Sequence, residues 1–386
     1  MDRQALTDQL KQQARSLGFS LAGVCPAVSP LGLVHFDEWL ARGYAGEMHY
    51  LRDRRESYEH PRHVLDGVRS IVMLAMNYRT AEPAMPTPGQ GRVARYAWGT
   101  SDYHDLIHER LHRLADWLRE GHPGASVRGV VDTAPLMERD LAQLAGLGWI
   151  GKNTLLLNRD AGSYFFLAAL LTNLELTIDS PHTADHCGTC TACLDACPTD
   201  AFPQPYLLDA SRCISYLTIE HRSQIPEELR PGIGNWLFGC DVCQEVCPWN
   251  SRTPQSELVE FTPTPDSNPA DAVALFDLDD DAFREKFRHT PLWRSKRRGL
   301  LRNAAIVLGN HPIAAGVAAL AHGLHDAESL VRGGCAWALG NYDAADARPL
   351  LESQRDCETE PEVRQEINAA LVRLAHEPAF QPTPLR

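Results

Sequence analysis

CGTCTACLDACP (187–198) and CDVCQEVCP (240–248) are the two strings on which the reading of this chain turns. The first runs Cys187-x2-Cys190-x2-Cys193-x3-Cys197-Pro198. The second, Cys240-x2-Cys243-x3-Cys247-Pro248, repeats its back half, and Cys213 supplies the missing leading thiol from 26 intervening residues upstream. Eight of the eleven cysteines lie between Cys187 and Cys247, while Cys25, Cys335 and Cys357 stand apart. Isolated thiols of that kind usually behave as small buried apolar groups. Structural disulfides are not expected in a reducing compartment, so the clustered cysteines point to metal.

The spacing selects the metal. Three thiolates on one tight loop reach three irons of a cubane, and the chain then leaves, so the fourth iron takes a distant cysteine. This matches the bacterial ferredoxin run and gives a crossed pairing. Cys187, Cys190, Cys193 and Cys247 hold one 4Fe–4S cluster; Cys197, Cys213, Cys240 and Cys243 hold the other. Zinc also uses pairs of Cys-x2-Cys, but a triple followed by Cys-Pro and then echoed is a poor zinc pattern. Two adjacent clusters form a one-electron relay, and what they supply must sit elsewhere in the chain.

Working outward, residues 1–180 read as an α+β domain. SIVMLAMNY (70–78), SVRGVVD (126–132) and YFFLAALLTN (164–173) suit buried strands. Tyr103, Leu106, Ile107, Arg110, Leu111, Leu114 and Leu118 recur at helical spacing. Residues 181–250 have too few apolar runs for a core of their own and need metal to hold them. Residues 251–297 read as a polar, Pro-rich linker ending in a basic segment. From 298 to 386 the pattern is helical: GLLRNAAIVLGN (299–310) and SLVRGGCAWALGN (329–341) share Leu, Arg and a closing Leu-Gly-Asn, with EVRQEINAALVRLA (362–375) a weaker copy. Units about 30 residues apart suggest HEAT-like repeats.

Hydrophobic residues make up 44% and charged residues 23%, ordinary for a folded domain protein. No stretch approaches the roughly 18 apolar residues of a membrane span, and the opening residues read as an amphipathic helix rather than a secretory leader. A cytoplasmic location and no membrane partner are expected. The net charge of −13 argues against indiscriminate nucleic-acid binding. Against that background Lys286, Arg288, Arg294, Lys296, Arg297, Arg298 and Arg302 form a run with no acid between Lys286 and Arg302. Neither a Walker-type phosphate loop nor a strand-bound G-x-G-x-x-G is present, so nucleotide-driven chemistry gets no support.

Asp132 ends an apolar strand, before Thr133 and Pro135 open a helix. A carboxylate facing apolar surroundings there would act as an acid of raised pKa; the competing role is a helix N-cap. GLGWIGKN (146–153) combines glycines, which allow close backbone approach to a bulky ligand, with Trp149, Lys152 and Asn153.

Taken together, RYAWGTSDYH (95–104), VDTAPLMERD (131–140), AGLGWIGKNT (145–154), the two cysteine runs, RCISYLTIEHR (212–222), GNWLFGCDVCQEVCPWN (234–250) and LLRNAA (300–305) resemble the epoxyqueuosine reductases, over nearly the whole chain. The resemblance implies a cobalamin-binding, nitroreductase-like catalytic domain, a ferredoxin-like domain with two 4Fe–4S clusters, and C-terminal helical repeats. It implies removal of the epoxide oxygen of epoxyqueuosine at the wobble position of tRNA, with Asp132 as proton donor. Matched positions suggest corrinoid contacts at Tyr58, Ala94, Asp132, Lys152, Asn153, Ser163 and Ser215. At Tyr58 the chain departs from relatives that carry a basic residue before the proline. No Asp-x-His-x-x-Gly motif is present to replace a lower cobalt ligand, so binding with an open lower face is expected.

The basic run then becomes a candidate tRNA face, with His221, Arg222, Lys286, Arg294, Lys296, Arg297 and Arg298 as contacts and Trp293 and His289 as stacking surfaces. About five phosphate contacts predict a slope of log K against log salt near −3.5 to −4.5. An external low-potential electron donor and a monomeric state are expected. Two other readings compete: a corrinoid reductive dehalogenase, and a non-enzymatic ferredoxin-type electron-transfer scaffold, which would bind no corrinoid.

Overall fold

A computed structural model of the chain describes residues 2–375; the last eleven residues of the repeat segment, 376–386, lie outside the described residues. The chain forms two compact units, each assembled from three segments. The first comprises residues up to Ala81, Ser101–Ala210 and Val242–Phe261. The second comprises Glu82–Thr100, Ser211–Asp241 and the residues from Thr262 onward.

The first unit is built on an antiparallel sheet ordered Leu21–Pro26, Ser70–Asn77, Phe165–Thr172, Val127–Val130. Every residue of Ser70–Asn77 is buried, which explains its unbroken apolar run, since a strand covered on both faces has no polar side to show. The helix Tyr103–Gly121 buries Ile107, Leu111, Leu114, Ala115 and Leu118 as their spacing predicts. Each of the buried leucine and isoleucine side chains contributes about 1.5–3 kcal/mol. The helix lies so close to the sheet that a Cβ on Gly129 would meet Leu111 Cβ at 2.7 Å.

Two short strands, Trp149–Ile150 and Leu156–Leu157, pair antiparallel and turn the glycine-rich stretch back on itself. A Cβ on Gly148 would stand 1.9 Å from Leu157 O, so close backbone approach within this hairpin requires glycine there.

In the second unit, Gln90–Val93 pairs with Trp236–Phe238 and Ala270–Asp271. The helices Lys296–Asn310, Ser329–Leu339 and Pro361–Ala375 pack in succession, with Ala314–Gly323 and Ala344–Cys357 between them in the chain. Gly299–Asn310 is buried without interruption, so this helix is enclosed rather than amphipathic. The Pro-rich stretch after residue 250 is not bare chain. It carries short turns of helix and buries Phe261, Leu275, Phe276 and Phe283; the scattered aromatics give too little periodicity to announce this. No described helix is long and apolar enough to cross a membrane.

Candidate active site and cluster sites

Cys187, Cys190, Cys193 and Cys247 come together in the first unit. They line one cavity of about 240 Å³ with Lys152, Asn153, Leu157, Ala192, Pro248 and Trp249. A single zinc would need four thiolates about 2.3 Å from one point, whereas these surround a volume. Burial and the neighbouring Cys247 and Cys187 push the Cys193 thiol up to about 11, and burial raises Cys247 as well. Such crowded thiols would ionise together only with a positively charged core to take them as thiolates. Trp149 is buried against Cys247 and Cys187, and its indole N–H has no hydrogen-bond partner among the described residues. The donor set therefore fits a 4Fe–4S cubane. Of the other four cysteines, Cys197 and Cys243 belong to the first unit, Cys213 and Cys240 to the second.

Lys152, Asn153 and Ser163 are engaged with the cysteine-bearing segments. Lys152 Nζ donates to Gly188 O (2.6 Å) and Cys190 O (2.9 Å), bracing the loop that carries the first thiols. Asn153 is buried and reaches Cys243 O at 3.4 Å. Ser163 Oγ accepts from Gln244 Nε2 (3.0 Å) and Asn250 Nδ2 (2.9 Å).

Asp132 lies elsewhere in the same unit, after the strand Val127–Val130. It caps no helix. The next one, Glu138–Leu144, begins six residues later, with Met137 before it and no side-chain cap, and the expectation of a helix opened by Thr133 and Pro135 is corrected accordingly. Asp132 instead adopts a left-handed backbone, φ +53°, which costs a non-glycine residue roughly 1–2 kcal/mol. The surroundings also differ from the apolar ones expected: the carboxylate is 61% exposed and polar groups stand beside it. Oδ2 accepts from Tyr103 Oη at 2.8 Å and lies 3.2 Å from His104 Nε2. His104 Nδ1 is 2.7 Å from Asp102 Oδ1, which also accepts from His104 N at the helix start. Behind the carboxylate, Asp132 N donates to Glu138 Oε1 at 2.9 Å. Tyr103 stacks flat on Phe166, ring centroids 4.1 Å apart.

The charges follow from this geometry. Burial alone would depress His104, but its hydrogen bonds with Asp102 and Asp132 outweigh that and hold the imidazole up to about 9. Burial would raise Asp102, yet the bonds from His104 keep it below the ordinary carboxylate range. Burial and the charge of Asp132 push Glu138 up to about 8. At neutral pH the site therefore holds an imidazolium hydrogen-bonded between Asp102 and Asp132, with a neutral carboxylic acid behind. Tyr58, its ring 5.2 Å from Phe36, is raised by burial and lies within the field of Glu138 and Asp132. Ala94 and Ser215 belong to the second unit: Ala94 is buried with its N–H on Phe238 O, and Ser215 lies on the helix Ile214–Ile219.

Sequence reasoning missed Asp102, His104 and Glu138 as site residues. An Asp-x-His at a helix start was the available signal: the capping oxygen of the Asp also meets the imidazole two residues on.

The basic run is less bare than its sequence suggests. Acids distant in sequence reach it within the second unit: Lys286 pairs with Asp266, Arg294 with Glu220, Arg297 with Asp326 and Arg298 with Glu328. His221 is turned onto Gln224 O, and Trp293 stacks on Phe283 and carries Lys296 over its ring at 4.2 Å. Arg222 donates to Arg294 O. Lys296 is depressed by burial and by the adjacent Arg222 and Arg294, which marks a local excess of positive charge.

A fold of this kind, with a cavity lined by four thiols and a carboxyl group hydrogen-bonded to an imidazolium in one unit, defines an iron–sulfur oxidoreductase. Residues 186–250 match the 4Fe-4S double cluster binding domain, residues 59–133 the epoxyqueuosine reductase QueG domain (DUF1730), and residues 293–372 the HEAT repeats. The chain is 42% identical to an epoxyqueuosine reductase of Pseudomonas aeruginosa over 81% of its own length and 87% of the relative's. The Escherichia coli epoxyqueuosine reductase is 38% identical over 81% and 83%. The crystal structure of an epoxyqueuosine reductase with a tRNA-Tyr epoxyqueuosine-modified stem loop superposes with TM-score 0.89 at 32% identity, covering 96% of this chain and 99% of that one. The chain belongs to the epoxyqueuosine reductase family, and its 186–250 segment carries two 4Fe–4S clusters.

Proposed function

We propose that this chain reduces epoxyqueuosine to queuosine at the wobble position of tRNA. Two electrons and two protons enter, the epoxide oxygen leaves as water, and a carbon–carbon double bond forms. Asp132 carries the reading. Its carboxylate is exposed on an aromatic ledge of Tyr103 and Phe166, with a protonated His104 at 3.2 Å.

This reading seats a corrinoid, the second cofactor of the proposal, beside the exposed acid, with Tyr58, Ala94, Asp132, Lys152, Asn153, Ser163 and Ser215 as proposed contacts. When bound, the corrinoid supplies a low-valent cobalt centre that brings the electrons to the strained carbon. Asp132 delivers a proton to the opening alkoxide, which would otherwise be a very poor leaving group. His104 Nε2–H returns a proton to Asp132 Oδ2, and Tyr103 Oη fixes the carboxylate between them. Asp102 holds the imidazole in register.

The crossed cysteine pairing given above completes the relay, fed by an external low-potential donor. For the tRNA, Arg222, Arg294 and Lys296 form the most concentrated positive group. Arg294 shares its charge with Glu220, as Lys286, Arg297 and Arg298 at the border of the group do with their own acids, and His221 positions the turn. The protein acts as a cytoplasmic monomer in this reading. Mass analysis of wobble nucleosides from tRNA treated with the reduced, cobalamin-loaded enzyme tests the assignment: queuosine should replace epoxyqueuosine, and persistence of the epoxide overturns it.

A further inference from the structure

In the second unit, the buried Arg302 and Asn303 of the first repeat helix donate to main-chain carbonyls on the segments that present Cys213 and Cys240. Arg302 and Asn303 are both wholly buried, on a helix whose buried residues are otherwise aliphatic or glycine except for Asn310 at its end. Arg302 Nη2 donates to Leu217 O (2.6 Å), and Nη1 to His221 O (2.9 Å) and Ser223 O (2.7 Å). Asn303 Oδ1 accepts from Arg302 Nη2 (2.9 Å), while Nδ2 donates to Thr218 O (2.8 Å) and Leu237 O (3.0 Å). Leu217 and Thr218 end the short helix Ile214–Ile219, which Cys213 caps. Leu237 belongs to the strand Trp236–Phe238, two residues before Cys240. Thr218 Oγ1 ties the two segments again by accepting from Gly239 N at 2.9 Å.

The second repeat provides the comparison. Arg332, the matching arginine, caps the carbonyls of Asp326 and Ala327 and pairs with Glu358 inside the repeats, and the residue after it is Gly333. Among the described residues, only the first repeat has its arginine and an added asparagine turned onto the cysteine-bearing segments. A six-residue helix and a three-residue strand are too short to hold their own conformation, whereas buried charge-assisted hydrogen bonds fix their spacing strongly.

We infer that Arg302 and Asn303 are positioning residues for the second 4Fe–4S cluster, holding Cys213 and Cys240 in ligating register. This rests on the proposed reading of Cys213 and Cys240 as ligands of that cluster.

Asn303→Asp is the decisive variant. It keeps the shape and the acceptor for Arg302, which neutralises the new charge, and removes both donors to Thr218 O and Leu237 O. Full-length variants purified anaerobically are analysed for iron per chain, by electron paramagnetic resonance of the reduced state, and for helicity. From about eight irons in the native protein, Asn303→Asp and Arg302→Ala should fall towards about four, with helicity kept. The signal of coupled clusters should give way to that of one isolated cluster, and Arg302→Lys should recover part of the loss. Arg332→Ala, in the matching position, should keep about eight. Folded Asn303→Asp protein with full iron and native spectra overturns the inference while Cys213→Ala loses a cluster. If Cys213→Ala itself keeps about eight irons, the ligand reading has failed instead. Should Arg302→Ala not fold, Asn303→Asp decides alone.

Discussion

Asp132, the proposed proton donor, is a residue whose type alone does not announce that role. By composition it passes as a helix cap, and only the left-handed backbone and the Tyr103–His104 partners separate it from one. Asp132→Asn should keep both clusters and tRNA affinity yet lower kcat by about 10²–10⁴-fold, the usual worth of a positioned proton donor; single-turnover nucleoside analysis reads this directly. His104 adds a pH signature. Its folded pKa of about 9 exceeds the ordinary value near 6.5. The stability it contributes is therefore complete below about 6.5 and lost as pH rises through about 9. Proton return to Asp132 should fail over the same limb. A kcat profile should turn down near pH 9 in the native enzyme, and His104→Gln should lie lower with that limb gone. The thiol spacing and the strand-end aspartate were legible because each depends on contiguous sequence. Asp102, His104 and Glu138 were not, since their roles arise from where a helix start and a strand end meet.

At the scale of elements, the long apolar strands and the repeat helices follow from periodicity, and both stand where their patterns put them. The stretch after residue 250 was opaque because single aromatics such as Phe261 and Phe276 anchor it one at a time, leaving no period to read. The basic run shows the opposite limit: a local charge count cannot see Glu220 or Asp326 arriving from elsewhere in the chain. Ion pairs inside the repeats have measurable weight. Arg332 and Glu358 form a buried two-pronged pair; the bond from Arg332 outweighs burial and holds Glu358 down to about 2. Its contribution is present above about 4.5 and lost as pH falls through about 2. Glu358→Gln should cost about 3 kcal/mol at neutral pH, seen as a lower denaturation midpoint with unchanged slope in a urea titration.

For the whole molecule, a net charge of −13 must be reconciled with a polyanionic substrate. The proposed contact group of Arg222, Arg294 and Lys296 would reconcile the two, and affinity for the modified tRNA should fall with added salt at a slope near −3.5 to −4.5 in log units if about five phosphates are met. Filter binding over a salt series measures it. A flat dependence would remove the electrostatic face, and Lys296→Ala should reduce the slope by about one.

The first unit is threaded from three separate stretches, and this has a consequence for biosynthesis. Cys187, Cys190 and Cys193 leave the ribosome before Cys247, the fourth thiol of their cavity, has been translated. At roughly 5–20 residues per second, three reactive sulfurs wait on the order of 3–10 s for the last. Iron loading of this centre is thus a late event, and the nascent chain needs protection from oxidants during that interval.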